Sequence, residues 1–259
     1  MTEERAPFVV ARGVTKRFGA LTALQDIDME IRQGEVLALL GDNGAGKSTF
    51  IKILAGAQPR TEGSLQVAGR EVHFGSPKDA AAAGISTIYQ ELALSENLSI
   101  AENVFLGREM TRPALGLPFL RRSAMRRRVG ELLTELDAHI SDPMAPVGSL
   151  SGGQRQAVAI CRALDQNAKL VIMDEPTAAL AVAETRKVLA LTRKLAERGC
   201  AVVLISHNIS DVFEVADRMI VFRRGRKIAQ KSRGETTPEE IVAYITGAHR
   251  DLQAEEQAA

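Results

Sequence analysis

Three short stretches of this chain hold residue types that handle phosphate. Gly41-Asp42-Asn43-Gly44-Ala45-Gly46-Lys47-Ser48-Thr49 fits the pattern G-x-x-x-x-G-K-[ST]. Its glycines let the backbone curl until several N–H groups converge on one anion, and a helix starting at Lys47 adds its positive end. Lys47 brings a mobile charge for the β- and γ-phosphates, and Ser48 offers a hydroxyl to Mg²⁺. In Leu170-Val171-Ile172-Met173-Asp174-Glu175-Pro176, four apolar residues end in two acids. Such a run reads as a buried strand delivering carboxylates at its C-terminal edge, where ligands sit in open α/β sheets. Asp174 would hold Mg²⁺ through water, and Glu175 would orient and deprotonate an attacking water. Leu150-Ser151-Gly152-Gly153-Gln154 opens an amphipathic stretch and makes a second anion site of backbone donors, a hydroxyl and a helix dipole. A plain glycine-rich turn, or a strand ending in solvated acids, accounts for either of the first two stretches alone. Their pairing, and the strand and helix that flank Gly41–Ser48, argue for the phosphate reading.

The elements that must position these residues follow from periodicity. Ile27, Met29 and Ile31 alternate with polar residues, as in a half-buried strand, and Gln33-Gly34 turns the chain into an apolar run over Glu35–Leu40. Lys47–Leu54 reads as a helix ended by Ala55-Gly56, and Ile85–Tyr89 as a short strand. From Glu91 to about Leu150 no strand-like run appears; helices are expected over Ile100–Leu106 and Ala124–Leu136, separated by the Pro- and Gly-rich Arg112–Pro118. Ala157, Ile160, Cys161 and Leu164 then fall at helical spacing. Strands are expected over Leu170–Met173, Ala201–Ile205 and Met219–Phe222, with a helix over Glu184–Glu197 between the first two. This alternation predicts an α/β fold with a mostly parallel sheet and helices on both faces. Thr237-Pro238-Glu239-Glu240 starts a capped helix, and the last ten residues are polar and expected to fray.

Composition narrows the function. The chain has 259 residues, 45% apolar and 25% charged, with a net charge of +1. That balance gives no electrostatic reason to bind nucleic acid or an acidic membrane. Eight Phe, two Tyr and no Trp are few for a protein that stacks bases or sugar rings itself. Cys161 and Cys200 have no metal-ligand spacing and fit a reducing compartment. The charged start lacks a signal core, and no apolar run approaches the ~20 residues of a membrane span, so a soluble, cytoplasmic chain is expected.

With Leu-Ser-Gly-Gly-Gln in place, the chain resembles the ATP-binding subunits of ABC transporters, over roughly residues 7–247. The resemblance implies a P-loop NTPase of RecA-like type: a mostly parallel core (7–90 and 151–247), an N-terminal antiparallel β portion, a helical insert (91–150) and a frayed tail (248–259). It implies ATP and Mg²⁺ as ligands. By position, Gln90 in Tyr89-Gln90-Glu91 resembles the family's Q-loop residue, touching Mg²⁺ and water while relaying to the membrane subunit. His207 is placed like the switch histidine at the γ-phosphate, and Phe18 like the aromatic that stacks on adenine. In this family the P-loop of one subunit and the Ser151–Gln154 type signature of its partner close on one ATP. Where the family often has Ser-x-Leu-Asp, this chain has Ala178-Ala179-Leu180-Ala181. The Asp that couples the two sites across the interface is missing, whereas Glu175 is present, and hydrolysis is expected.

Tyr89–Arg108 and Glu175-Pro-Thr-Ala-Ala-Leu180 look like the bacterial monosaccharide importers of the ribose and fructose type. Those usually carry two ATPase halves per chain; a single half implies pairing with another ATPase chain, a homodimer being favoured. Transmembrane permease subunits and, indirectly, a periplasmic sugar-binding protein are the implied partners, with the chain peripheral on the inner face of the membrane. The coupling groove of the family falls near Gln90–Asn103. The basic runs Arg121–Arg128 and Arg223–Lys227 could contact lipid headgroups, a partner or nucleic acid; near-neutral overall charge favours a solvated helix face and an exposed hairpin turn. Two other readings are weighed. A soluble ABC-type ATPase acting on nucleic acid or ribosomes usually has two halves or a coiled coil, and no sustained heptads occur here. A subunit without turnover would need Lys47, Glu175 or the signature to be damaged.

Overall fold

The computed structural model describes residues 6–114 and 117–248; the tail expected to fray lies, from residue 249 onward, outside the described residues. β1 (Pro7–Phe18) and β2 (Leu21–Arg32) pair antiparallel, with Leu24, Ile27, Met29 and Ile31 of β2 buried. Gly34 turns the chain into β3 (Val36–Leu40), buried at every position, and the glycine loop leads to α1 (Lys47–Leu54). β4 (Glu62–Val67) and β5 (Arg70–Glu71) complete an antiparallel sheet of order β2-β1-β4-β5.

α2 (Pro77–Ala82) and β6 (Ile85–Ile88) precede the segment expected to be helical. That segment holds α3 (Ile100–Phe105) and α4 (Arg122–Glu135), and contributes no strand to either main sheet. It is not all helix. β7 (Thr111–Ala114) and β8 (Leu117–Leu120) form a two-stranded hairpin where no strand was expected. Pro113 faces Pro118 across it, so the ladder lacks two donors. The pattern was unreadable because the hairpin buries no face: Leu117, Phe119 and Leu120 are all exposed, leaving no alternation to see.

α5 (Gly152–Asp165), β9 (Leu170–Asp174), α6 (Val182–Glu197), β10 (Ala201–Ile205), α7 (Ile209–Val215), β11 (Arg218–Arg223), β12 (Arg226–Ser232) and α8 (Pro238–Thr246) follow. The central sheet runs β12-β11-β3-β10-β9-β6, parallel except for β12 at its edge. Its strands divide the core by simple alternation. Val36, Ala38 and Leu40 join the core under α3 to α6, while Leu37 and Leu39 join the core shared with α1 and the antiparallel sheet. There Phe50 meets Phe222 edge-on, ring centroids 5.7 Å apart. Both cysteines are buried and free; burial pushes the Cys161 thiol up to about 12.

Helix starts are capped where the site needs them. Ser151 accepts from the Gln154 N–H while the Gln154 side chain accepts from the Ser151 N–H, a reciprocal box that fixes the start of α5. α6 has no such help: its N-cap is Ala181, with no side-chain bond. Ala181→Asp is therefore expected to stabilise the fold by about 1 kcal/mol and raise Tm by about 2–4 °C, read by thermal melting.

Candidate nucleotide site

The loop between β3 and α1 is bent by Gly41, Gly44 and Gly46 at φ of 144°, 77° and 105°. Space as well as torsion requires the first and last. A side chain at Gly41 would strike the Phe222 carbonyl, and one at Gly46 would strike Leu24 and the Ala23 carbonyl. Gly46 caps α1 without a side chain, so the first-turn N–H groups of the helix have no side-chain cap. Lys47 Nζ donates to the Gly41 and Asp42 carbonyls at 2.5 and 3.1 Å. Burial lowers its pKa, and Glu175, Asp42 and Asp174 act against that.

β9 ends on Asp174, in register with Ile205 at the end of β10. Glu175 then adopts a left-handed conformation (φ 51°), costing about 1–3 kcal/mol for a non-glycine residue. Neighbours hold it there. Its N–H donates to the Ile205 carbonyl at 3.0 Å and its carbonyl accepts from the Ala178 N–H at 3.1 Å. Gln156 of α5 donates to the Pro176 carbonyl at 2.9 Å, and the Thr177 hydroxyl donates to Asp211 at 2.8 Å. In this conformation the carboxylate meets His207, whose N–H donates to Oε2 at 3.4 Å and whose Nε2 lies 3.2 Å from Oε1. Oε1 is buried against His207 and has no aligned hydrogen-bond donor, so the exposed remainder of the carboxylate is the part that water can reach. Burial raises the pKa of both acids; Lys47 and then His207 oppose it at Asp174, and His207 opposes it at Glu175.

These residues share one cavity of about 670 Å³, lined by Phe18, residues 42–49, Gln90, Asp174, Glu175 and His207. Gly41 stands behind it, against Phe222. Phe18 is 44% exposed, with Lys16 Nζ 4.9 Å from its ring centroid. The structure does not bring Ser151, Gly152, Gly153 or Gln154 to this cavity. Ser151, Gly153 and Gln154 line a separate one of about 480 Å³, with Ala157 and Glu184. The two glycines also serve packing. A side chain at Gly152 would strike Leu180, and one at Gly153 would lie 3.4 Å from Glu184 Cβ, so they let α5 press against the start of α6.

The donors fit a magnesium ion carried by a polyphosphate. Ser48, Gln90 and Asp174 offer hard oxygen atoms in one cavity, and among the described residues no cluster of three or more His, Cys, Asp or Glu forms an all-protein cage. Mg²⁺ usually takes one or two carboxylates plus substrate phosphates and waters, which matches this set.

Sequence reasoning did not pick out Gln156 or Asp211, and read Arg224 only as part of a solvated basic turn. Gln156 and Asp211 are buried polar residues, but each stands beside other polar residues (Gln154-Arg155 and Asn208, Ser210), so nothing in the sequence marked their burial. Arg224 joins the cavity only through the β11–β12 turn, which spacing does not reveal.

The parallel sheet, the glycine loop and the acids at the end of β9 define a P-loop NTPase. The family model for ABC transporters matches residues 24–178, more than half of the chain. The chain belongs to the ABC transporter family. It is 47% identical over 246 residues to the fructose import ATP-binding protein FrcA of Rhizobium meliloti, covering 93% of this chain and 95% of that one. It is 50% identical to the xylose/arabinose import ATP-binding protein XylG of Sulfolobus acidocaldarius, covering 91% and 92%. With the ribose import ATP-binding protein RbsA 2 of Rubrobacter xylanophilus it shares 43% identity over 94% of this chain but 46% of that one. The dimeric post-hydrolysis structure of the ATP-binding cassette MJ0796 with ADP and Pi superposes with a TM-score of 0.70 at 26% identity, covering 87% and 98%.

Proposed function

We propose that this chain is the ATP-hydrolysing subunit of an ABC importer for a monosaccharide, peripheral on the cytoplasmic face of the membrane. It works with permease subunits and with a second ATPase chain, most simply another copy of itself. The observation that carries this reading is the separation of the two phosphate-handling loops into different cavities, 42–49 in one and Ser151, Gly153 and Gln154 in the other. An ATP enclosed by both kinds of loop needs two chains.

In this reading Phe18 stacks on adenine, and residues 41–49 with Lys47 hold the phosphate tail. Ser48, Asp174 and Gln90 hold Mg²⁺, which neutralises charge on the phosphates when bound. Glu175 takes the proton of the attacking water, and His207 holds the carboxylate and reaches the γ-phosphate. The partner's Ser151–Gln154 segment closes the site from outside. Support for the substrate class comes from the relatives' names; FrcA and XylG are near this chain in length.

The test is reconstitution in liposomes with a monosaccharide permease and a sugar-binding protein. Fructose, xylose or ribose is expected to raise ATP hydrolysis several-fold. Hydrolysis that is indifferent to the permease and to every sugar tried would sink the importer reading.

A further inference from the structure

Between β11 and β12, Arg223 pairs with Arg226, and the two residues that turn the chain, Arg224 and Gly225, have φ of 49° and 75°. Two positive φ values make a type I′ turn, whose first position is normally Asn, Asp or Gly. Arginine breaks that local rule, and a side chain kept in a disfavoured conformation points to a use for it. The turn is rigid. The Gly225 N–H donates to the Ala45 carbonyl of the phosphate loop at 3.0 Å, and its carbonyl accepts from the Gln25 N–H of β2 at 2.7 Å. A side chain at Gly225 would come 2.7 Å from the Ala23 carbonyl, so nothing larger fits between turn and strand.

This staple sets Arg224 on the wall of the 670 Å³ cavity beside Leu21, Thr22 and Ala23, the stretch of β2 that leads back to Phe18. The residue is exposed, and among the described residues its guanidinium has no hydrogen-bond or ion-pair partner. One cation, Lys16, already lies over the Phe18 ring, donating to the Pro59 carbonyl. A purine resting on Phe18 has its second face free. A planar guanidinium stacks on flat rings, whereas a lysine ammonium offers only a point charge.

We infer that Arg224 is a nucleotide-contacting residue that packs against the purine nucleoside and sets ATP and ADP affinity without entering the cleavage step. The inference rests on the ATP reading of the cavity and adds a residue to its nucleoside end.

Arg224→Asn tests it, because asparagine suits the turn and should leave Tm equal or higher. Kd for ATP and for ADP is expected to rise together by about 3- to 30-fold, with KM following and kcat at saturating ATP within about twofold. Arg224→Lys should recover little of the loss. Inhibition by inorganic tripolyphosphate, which has the tail but no nucleoside, should be unchanged. Nucleotide Kd values within twofold of the parent would overturn the inference. So would an equal loss for tripolyphosphate, which would move the contact to the phosphates. The binding measurements need no turnover, so failure of the transport reading leaves them valid. A parent chain that binds neither ATP nor ADP would instead overturn the cavity's reading, and this inference with it.

Discussion

Glu175→Gln is expected to cut ATP turnover by about 10²–10⁴-fold through loss of the base, while ATP still binds and holds two chains together. The geometry explains the size. Glu175 lines the nucleotide cavity, and His207 holds its carboxylate through both oxygens. An amide keeps the shape and cannot take the proton. Undiminished hydrolysis would remove Glu175 from its assigned role.

The same variant has a pH signature in stability. Burial raises the Glu175 pKa above the unfolded value, so the protonated form is favoured in the fold. A group shifted this way contributes stability below its unfolded pKa and loses that contribution as pH rises through the folded pKa. At pH 8 the ionised parent bears the full desolvation cost and the neutral amide does not. Melting curves should show Glu175→Gln more stable than the parent at pH 8, with the gap closing toward pH 4. By the same sign, the acid limb of the parent's kcat/KM profile, which reports the free enzyme, should lie above that of an unburied glutamate.

Ser151→Arg should leave nucleotide affinity of the isolated chain within about twofold and reduce turnover by at least about 10²-fold. Ser151 lies in a different cavity from residues 42–49, so a large side chain there cannot touch the nucleotide held by its own chain. It would strike the one presented by a partner. Because Ser151 also caps α5, the arginine costs about 1 kcal/mol of stability on its own account. Ser151→Asp separates the effects, since it keeps a capping oxygen but sets a negative charge against the partner's phosphates. Both variants should lose turnover, and only the first should melt lower. Loss of nucleotide binding by the single chain would contradict the shared site.

Much of this was legible in the sequence, for reasons that differ by region. β10 lies at Ala201–Ile205 as expected because a strand buried on both faces is an unbroken apolar run. The helix starts at Ser151 and Thr237 were readable from cap chemistry, and both serve as caps. The glycine loop announced itself because its torsions and clearances admit little else at Gly41 and Gly46. The β7–β8 hairpin was missed for the opposite reason: an element that packs on nothing leaves no periodic trace. Arg224 was read as part of a solvated turn since charge runs usually are. Its place in the cavity depends on Gly225 meeting Ala45, a contact 180 positions apart. The left-handed Glu175 was equally hidden, being imposed by Ile205 and by the Gln156 and Asp211 contacts of the next residues rather than by its own preferences.

Arg162 of α5 donates to the Leu92 and Ala93 carbonyls at 2.9 and 3.1 Å, and Arg155 of the same helix pairs with Glu96 at 3.1 Å. The strip of chain just beyond Gln90 is thereby bolted to the helix that begins at Ser151. Were the proposed permease to seat on that strip, these contacts would make the two a single crank, passing a load from handle to shaft. Loosening either bolt should leave each cavity intact yet let the handle slip, so that fuel is burned without the gate being turned.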